Sequence, residues 1–343
     1  MTRKQVVRLV ISLSILVAAI WWALRGVDLG NVAAILGQSD IILVLLCVPM
    51  IVLSHVVRGH RWTLLLRPAS TTVPLSAATS SVLIGYAANN IIPRSGEFIR
   101  PWVLSRRLSI PYGTTVTSII VERIIDVLSL VLGISIVSLV ANDVIIAAIP
   151  SFTIGRVMSV IVVPALVVAF AIGIIAYTEA GAWAIERVVR PWRAGLADRL
   201  HETLETIRTG LRAIGQPRLY AGLILDSGVI WLLWALPILL CYHAIPHQHP
   251  VPFDLADAFI MLLIVSIGAT IAPTPGALGV YQSFAQGALM LLYGADKDEA
   301  MAFAMLTWMV NYLLILGVGA VALAFEVRAG LAWQDLVDSS RKA

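Results

Sequence analysis

The apolar positions of this chain fall in long blocks, not in alternating stripes. A helix needs about 20 mostly apolar residues to span the hydrocarbon core of a bilayer. Runs 6–24, 41–57, 114–140, 157–178, 219–244 and 300–325 meet that length or approach it. Two further apolar regions are interrupted. Region 75–92 carries Ser76, Thr79, Ser80, Ser81, Asn89 and Asn90, then stops at Pro93. Region 258–272 stops at Pro273, and an apolar run resumes over 279–293. With a rise of about 1.5 Å per residue, 258–272 is too short to cross comfortably.

The two interruptions share a skeleton. Ile91, Pro93 and Gly96 match Ile271, Pro273 and Gly276 in the pattern I-x-P-x-x-G. Pro275 and Gly279 extend the second break. Proline removes a backbone donor and stops a helix, and glycine permits the turn that follows. One such break in each half of an apolar protein points to discontinuous membrane helices. Paired breaks also mark transporter-like binding sites. The expected fold is all-α and polytopic. It has about six full transmembrane helices plus two broken or re-entrant helical hairpins in an inverted repeat, within a single domain over 1–343.

Charge then sets the orientation. Basic residues concentrate on cytoplasmic loops. With the N-terminus inside and both broken regions re-entrant, all Lys and Arg except Arg25, Arg123, Arg156 and Lys297 fall on the inner side. Both termini are then cytoplasmic in a cell (inner) membrane protein. The first break opens from the cytoplasm and the second from outside. The same parity holds if 258–272 and 279–293 both cross. Lys4 and Arg8 before the run ending at Trp21 and Trp22 read as an uncleaved signal anchor.

Within a cytoplasmic helical loop over 179–217, Leu196, Leu200, Leu204, Ile207, Leu211 and Ile214 form one apolar face. Such a helix lies on the inner membrane surface or docks a partner. Residues 326–343 form a cytoplasmic tail. At 59% hydrophobic and 13% charged, the chain departs far from a soluble domain, which carries about 25% charged residues. The basic pI near 9.3 follows from topology, so no nucleic-acid partner is expected. Cys47 and Cys241 both lie in apolar runs, which argues against a disulfide framework.

Charges inside membrane helices are costly and are functional candidates by default. Glu122, Arg123 and Asp126 sit in 114–140, and Arg123 is spaced to pair with Asp126. A self-neutralising structural trio is the alternative reading. Asp226 in 219–244 has no sequence-local partner. Arg94, Glu97 and Arg100 fall near one face if a helix begins after Pro93. Arginine matches phosphate by bidentate geometry, so these arginines suit an anionic lipid headgroup. They also read as ordinary flanking charge. Asn89 and Asn90 can satisfy backbone groups that the break frees. At the second break the candidate contacts are Thr274, Tyr281 and Gln282. His243, His247 and His249 lie in a proline-rich loop with Asp254, which is not a metal-binding helix face. No metal site, cofactor or catalytic motif is read from the sequence.

The segments N-N-I-I-P-R-S-G-E-F-I-R, V-E-R-I-I-D and A-P-T-P-G-A-L-G-V-Y-Q resemble the flippase-like transmembrane domain of lysylphosphatidylglycerol synthases and its stand-alone relatives. The resemblance covers nearly the whole chain. It implies movement of a membrane lipid between leaflets, by a stand-alone member without the aminoacyl-transferase domain and therefore not an enzyme. A lipid-modifying enzyme is the implied possible partner. The position after the second motif, often acidic in that family, is Gln282 here, which puts ion coupling in doubt. Two other classes stay open: a membrane-embedded transferase with Glu97 or Asp126 as base, and a non-transporting scaffold for a lipid-modifying enzyme.

Overall fold

The structure is a computed structural model and describes residues 14, 16–67, 72–140, 163, 167, 178–198, 200–201, 204–205, 217–271 and 274–330. All elements among these residues are helical. Helix α1 (Leu16–Leu24) turns by 79° into α2 (Leu29–Gly37). Asp28 caps α2 by accepting hydrogen bonds from the amides of Gly30 and Asn31. Helix α3 (Ile41–Leu66) follows, capped by Asp40 in the same way. Then come α4 (Leu75–Ile91), α5 (Gly96–Leu108) and α6 (Tyr112–Val140). After a short helix at Ala180–Ala184 the chain forms α7 (Pro217–Ala244), α8 (Leu255–Ile271) and α9 (Val280–Tyr293). Helix α10 (Lys297–Arg328) ends the described fold.

Among the described residues, α3, most of α7 and α10 are each long and apolar enough to cross a bilayer, and the bent pair α1–α2 makes a fourth if it counts as one span. The run at 157–178 lies almost wholly outside the described residues. So does the second half of the apolar face in 179–217, at Ile207, Leu211 and Ile214.

Both interrupted regions are helix–break–helix hairpins. Helices α4 and α5 pack on each other around residues 92–95. Helices α8 and α9 pack on each other on either side of a break that includes residues 274–279. At 17 and 14 residues, α8 and α9 are each shorter than the about 20 residues that a crossing usually takes.

One expectation is corrected in α3. The apolar run ends at residue 57, yet the helix continues to Leu66 and carries Arg58 and Arg61 into the protein. They do not sit in a loop. Carboxylates on α6 meet both side chains, and this pairing lets charged residues extend an apolar helix inward.

Two apolar cores flank that pairing. One gathers α3, α7, α8, α9 and α10 around Met261, Leu289 and Phe303. The other gathers α3, α4, α5, α6 and α7 around Trp62 and Leu104. Tyr86 packs against both. Cys47 and Cys241 are buried free thiols across the α3–α7 contact, with their sulfurs 4.0 Å apart.

Candidate functional site

The first break is locked from within. The Gly96 amide donates to Asn89 Oδ1 at 2.7 Å, so a side chain replaces the helix partner lost at the break. Gly96 also lies against the Gly85 backbone, and a Cβ there would collide with the Gly85 carbonyl oxygen. Arg94 adopts the left-handed region, with φ 66°, and is exposed in the turn. Helix α5 begins only at Gly96, so Arg94 stands outside the helix that carries Glu97 and Arg100. The three therefore do not form one helical face.

The second break relies on backbone geometry. Pro275–Ala277 form a single 3-10 turn, with Gly276 at φ 56°, Ala277 at φ 52° and Gly279 at φ 79°. Pro273 lies outside the described residues. Thr274 Oγ1 donates to the Leu278 carbonyl at 2.9 Å. Gln282 Oε1 accepts the Gly279 amide at 2.7 Å. Thr274 and Gln282 are both buried and hold this turn in shape.

The two breaks meet in space. A Cβ on Gly276 would lie 3.4 Å from the Asn90 carbonyl oxygen. Helix α10 joins them through a π-helical turn at Met309–Leu313. Its Tyr312 carbonyl accepts from Asn90 Nδ2 at 3.0 Å, and the Trp308 indole donates to the Gly276 carbonyl at 2.7 Å. A π turn widens the helix by one residue and often marks a functional site.

A cavity of about 300 Å³ opens where these elements converge. Its polar and aromatic walls come from His55, Tyr86, Asn90, Arg123, Trp234, Ser266, Tyr281, Asn311 and Tyr312; aliphatic side chains close the rest. Both broken regions and the π turn thus contribute to one chamber. Volumes of about 300–1,000 Å³ and an apolar lining with few polar groups are usual for ligand sites.

Beside the cavity lies a buried charge cluster. Glu122 is 1% exposed and is its hub. It meets Arg58 at 2.8 Å, Arg61 at 3.1 Å and Arg100 at 2.9 Å. Asp126 meets Arg61 at 2.6 Å and Arg58 at 3.1 Å. Arg61 also donates to Ser227 on α7. Aromatic rings cover the guanidinium groups, with Arg100 4.0 Å from the Trp62 ring centre and Arg58 4.9 Å from that of Trp234. Three buried guanidinium groups face two carboxylates here, which leaves one positive charge in excess. Arg100 Nη2, Arg100 Nε and His55 Nδ1 are buried without a hydrogen-bond partner among the described residues.

The expected pairing of Arg123 with Asp126 is present but long, at 3.5 Å. The short partners of Asp126 are Arg58 and Arg61. Arg123 also lies 3.5 Å from Glu97, and its side chain is 42% exposed. This arginine, not Arg100, lines the cavity. Arg100 points inward to Glu122 and is 3% exposed. Asp226 has a partner after all, His60 on α3 at 2.8 Å, away from the cavity. At the other end of the fold, His247 pairs with buried Glu299 and His243 meets the Phe253 carbonyl. Asp254 caps α8 through the amides of Ala256 and Asp257. No group of three metal-ligating side chains occurs among the described residues.

Sequence reasoning missed His55, Arg58, Arg61 and the π turn. The signal for the first three was visible. In S-H-V-V-R-G-H-R-W, His55 and Arg58 are three apart and Arg58 and Arg61 are three apart, so they share a helix face. The flanking-charge reading obscured that spacing.

Spanning helices, paired breaks and a central polar chamber define an all-helical polytopic membrane protein. The chain belongs to the family described as the lysylphosphatidylglycerol synthase TM region, which it matches over residues 5–319. It is also similar to the glycosyltransferase AglD of Haloferax volcanii, at 30% identity over 119 residues. That match covers 34% of this chain and 19% of AglD, so it spans a small part of that relative's length.

Proposed function

We propose that this protein moves an anionic, aminoacylated, glycosylated or isoprenoid lipid between leaflets, with the headgroup entering the chamber between the two breaks. One observation carries the reading: Asn90, Arg123, Tyr281 and Tyr312 line the same cavity although they come from four different helices. Arg123 supplies the headgroup contact, because it is half-exposed and its ion pairs are long. Arg94, exposed in the first turn, supplies a recruiting charge on the cytoplasmic side in this reading. Arg100, Glu122, Arg58 and Arg61 position the wall from which Arg123 projects. In this reading both termini are cytoplasmic and the chain is not itself an enzyme. Both oxygens of Asp126 are engaged by arginines, which disfavours its use as the base of a transferase. A partner enzyme that modifies the lipid would dock through the helical segment at 179–217.

The test is flipping of a fluorescent phosphatidylglycerol in vesicles containing the purified chain. Arg123→Gln is expected to slow flipping about tenfold, the loss of one charge-assisted contact. Arg94→Gln should slow it less. Wild-type protein no faster than empty vesicles overturns the reading, and full activity in Arg123→Gln overturns the headgroup assignment.

A further inference from the structure

A second recess lies on the far side of the α4–α10 seam. It measures about 410 Å³ and is bounded by α4, α5 and the C-terminal half of α10. Its walls include Ala87, Ala88, Ile91, Leu316 and Ala320, and Ser95 provides its one polar side chain. Ser95 Oγ has no hydrogen-bond partner among the described residues. The floor is set where α4 and α10 touch, since a Cβ on Gly319 would strike the side chain of Ala87. Small residues on both helices open this recess beside a close crossing.

The recess and the polar chamber are built on the same two helices, α4 and α10. Asn90 lines the chamber, and the next residue, Ile91, lines the recess. Ile315 lines the chamber, and Leu316 lines the recess. Ile91 and Ile92, 65% and 63% exposed, form the open edge of the recess at the end of α4. An amphipathic molecule placed across that edge has its polar end in one space and its apolar end in the other.

We infer that the recess is a chain subsite, holding the hydrocarbon chain of the same lipid whose headgroup enters the chamber. This rests on the lipid-translocation reading above. The subsite adds little affinity through burial, because a chain leaving the bilayer moves from one apolar medium to another. What it supplies is registry and selection. It fixes the chain along α10 while the headgroup turns at the break, and its small-residue floor admits a slender chain. Substrates should therefore be sorted by chain shape as well as by headgroup.

The test uses the full chain in vesicles doped with phosphatidylglycerol that carries a diazirine at its chain end. Labelled peptides are read by mass spectrometry. The lipid-facing surface of α3 at Ile41, Ile42 and Leu45 is strongly exposed and provides the reference for ordinary boundary lipid. Residues 84–103 and 316–323 should label above that reference. Ala320→Trp should cut the excess about tenfold, a steric effect on the scale of pocket discrimination, with labelling of α3 unchanged. Ala320 is exposed on α10, so the larger side chain can be built without disturbing the core. Ala88→Leu tests the α4 wall in the same way. Labelling no higher than the α3 reference means boundary lipid only and overturns the subsite, as does full labelling in both folded variants. Diazirine-chain diacylglycerol separates the two readings. Equal recess labelling by diacylglycerol keeps the subsite and removes the anionic headgroup from it. Loss of labelling with diacylglycerol supports both.

Discussion

The two breaks share a sequence skeleton but are held by different physics. The first is fastened by tertiary contacts. Asn89 caps it, Gly96 sits on the Gly85 backbone, and Arg100 ties α5 to Glu122 on α6. The second is shaped by its own turn, through left-handed residues and the short bonds of Thr274 and Gln282. It is tied to its neighbours by the Trp308 indole on Gly276 and by the close seat of Gly279 on α1, with no ion pair among the described residues. A break bolted to a buried charge cluster moves only if the cluster moves. A break tied by neutral contacts has less to undo than one tied by buried charge. On the translocation reading proposed above, the α8–α9 side is then the softer gate.

The largest expected effect comes from removing the bolt. Glu122→Ala leaves three buried guanidinium groups around one remaining carboxylate. Breaking a buried pair costs about 3–5 kcal/mol, so the variant should show a large drop in thermal stability in detergent. A drop no larger than that of an exposed-residue variant would sink the idea that charge fastens the first break. Next in size is Gly96→Ala, which forces α4 and α5 apart. Overpacking of this kind costs about 1–3 kcal/mol, read as a lower melting temperature. Smallest is Gly276→Ala. A left-handed alanine costs about 1–2 kcal/mol, and the adjacent Ala277 already tolerates that conformation. Its main signature should be altered flipping with modest loss of stability. If Gly276→Ala destabilises more than Gly96→Ala, the assignment of the softer side is reversed.

The same contrast shows what could be read from the sequence. Both breaks were legible, because proline and glycine act on the backbone locally. The carboxylates Glu122 and Asp126 were legible as charges out of place in an apolar run. Their partners were not. Arg58 and Arg61 come from 61 to 68 positions away, and a basic residue at the end of an apolar block reads as membrane flank. Only the packing of α3 on α6 turns them into the interior of a cluster. Arg100 and Arg123 exchanged their expected orientations for the same reason. Helix phase relative to a neighbour decides which arginine is buried, and one sequence does not state that phase. The π turn was hidden too, because M-V-N-Y-L carries no proline or glycine to announce it.

That turn has a consequence for the timing of the whole helix. An inserted residue advances the angular phase of everything after it by about 100°. Asn311, Tyr312 and Ile315 line the polar chamber, while Leu316, Gly319, Ala320 and Leu323 line the apolar recess. Helix α10 thus works like a camshaft with two lobes set at different angles. Deleting one residue within 309–313 would turn 314–328 by about 100°, so Ile315 and Leu316 would no longer face the spaces they now line.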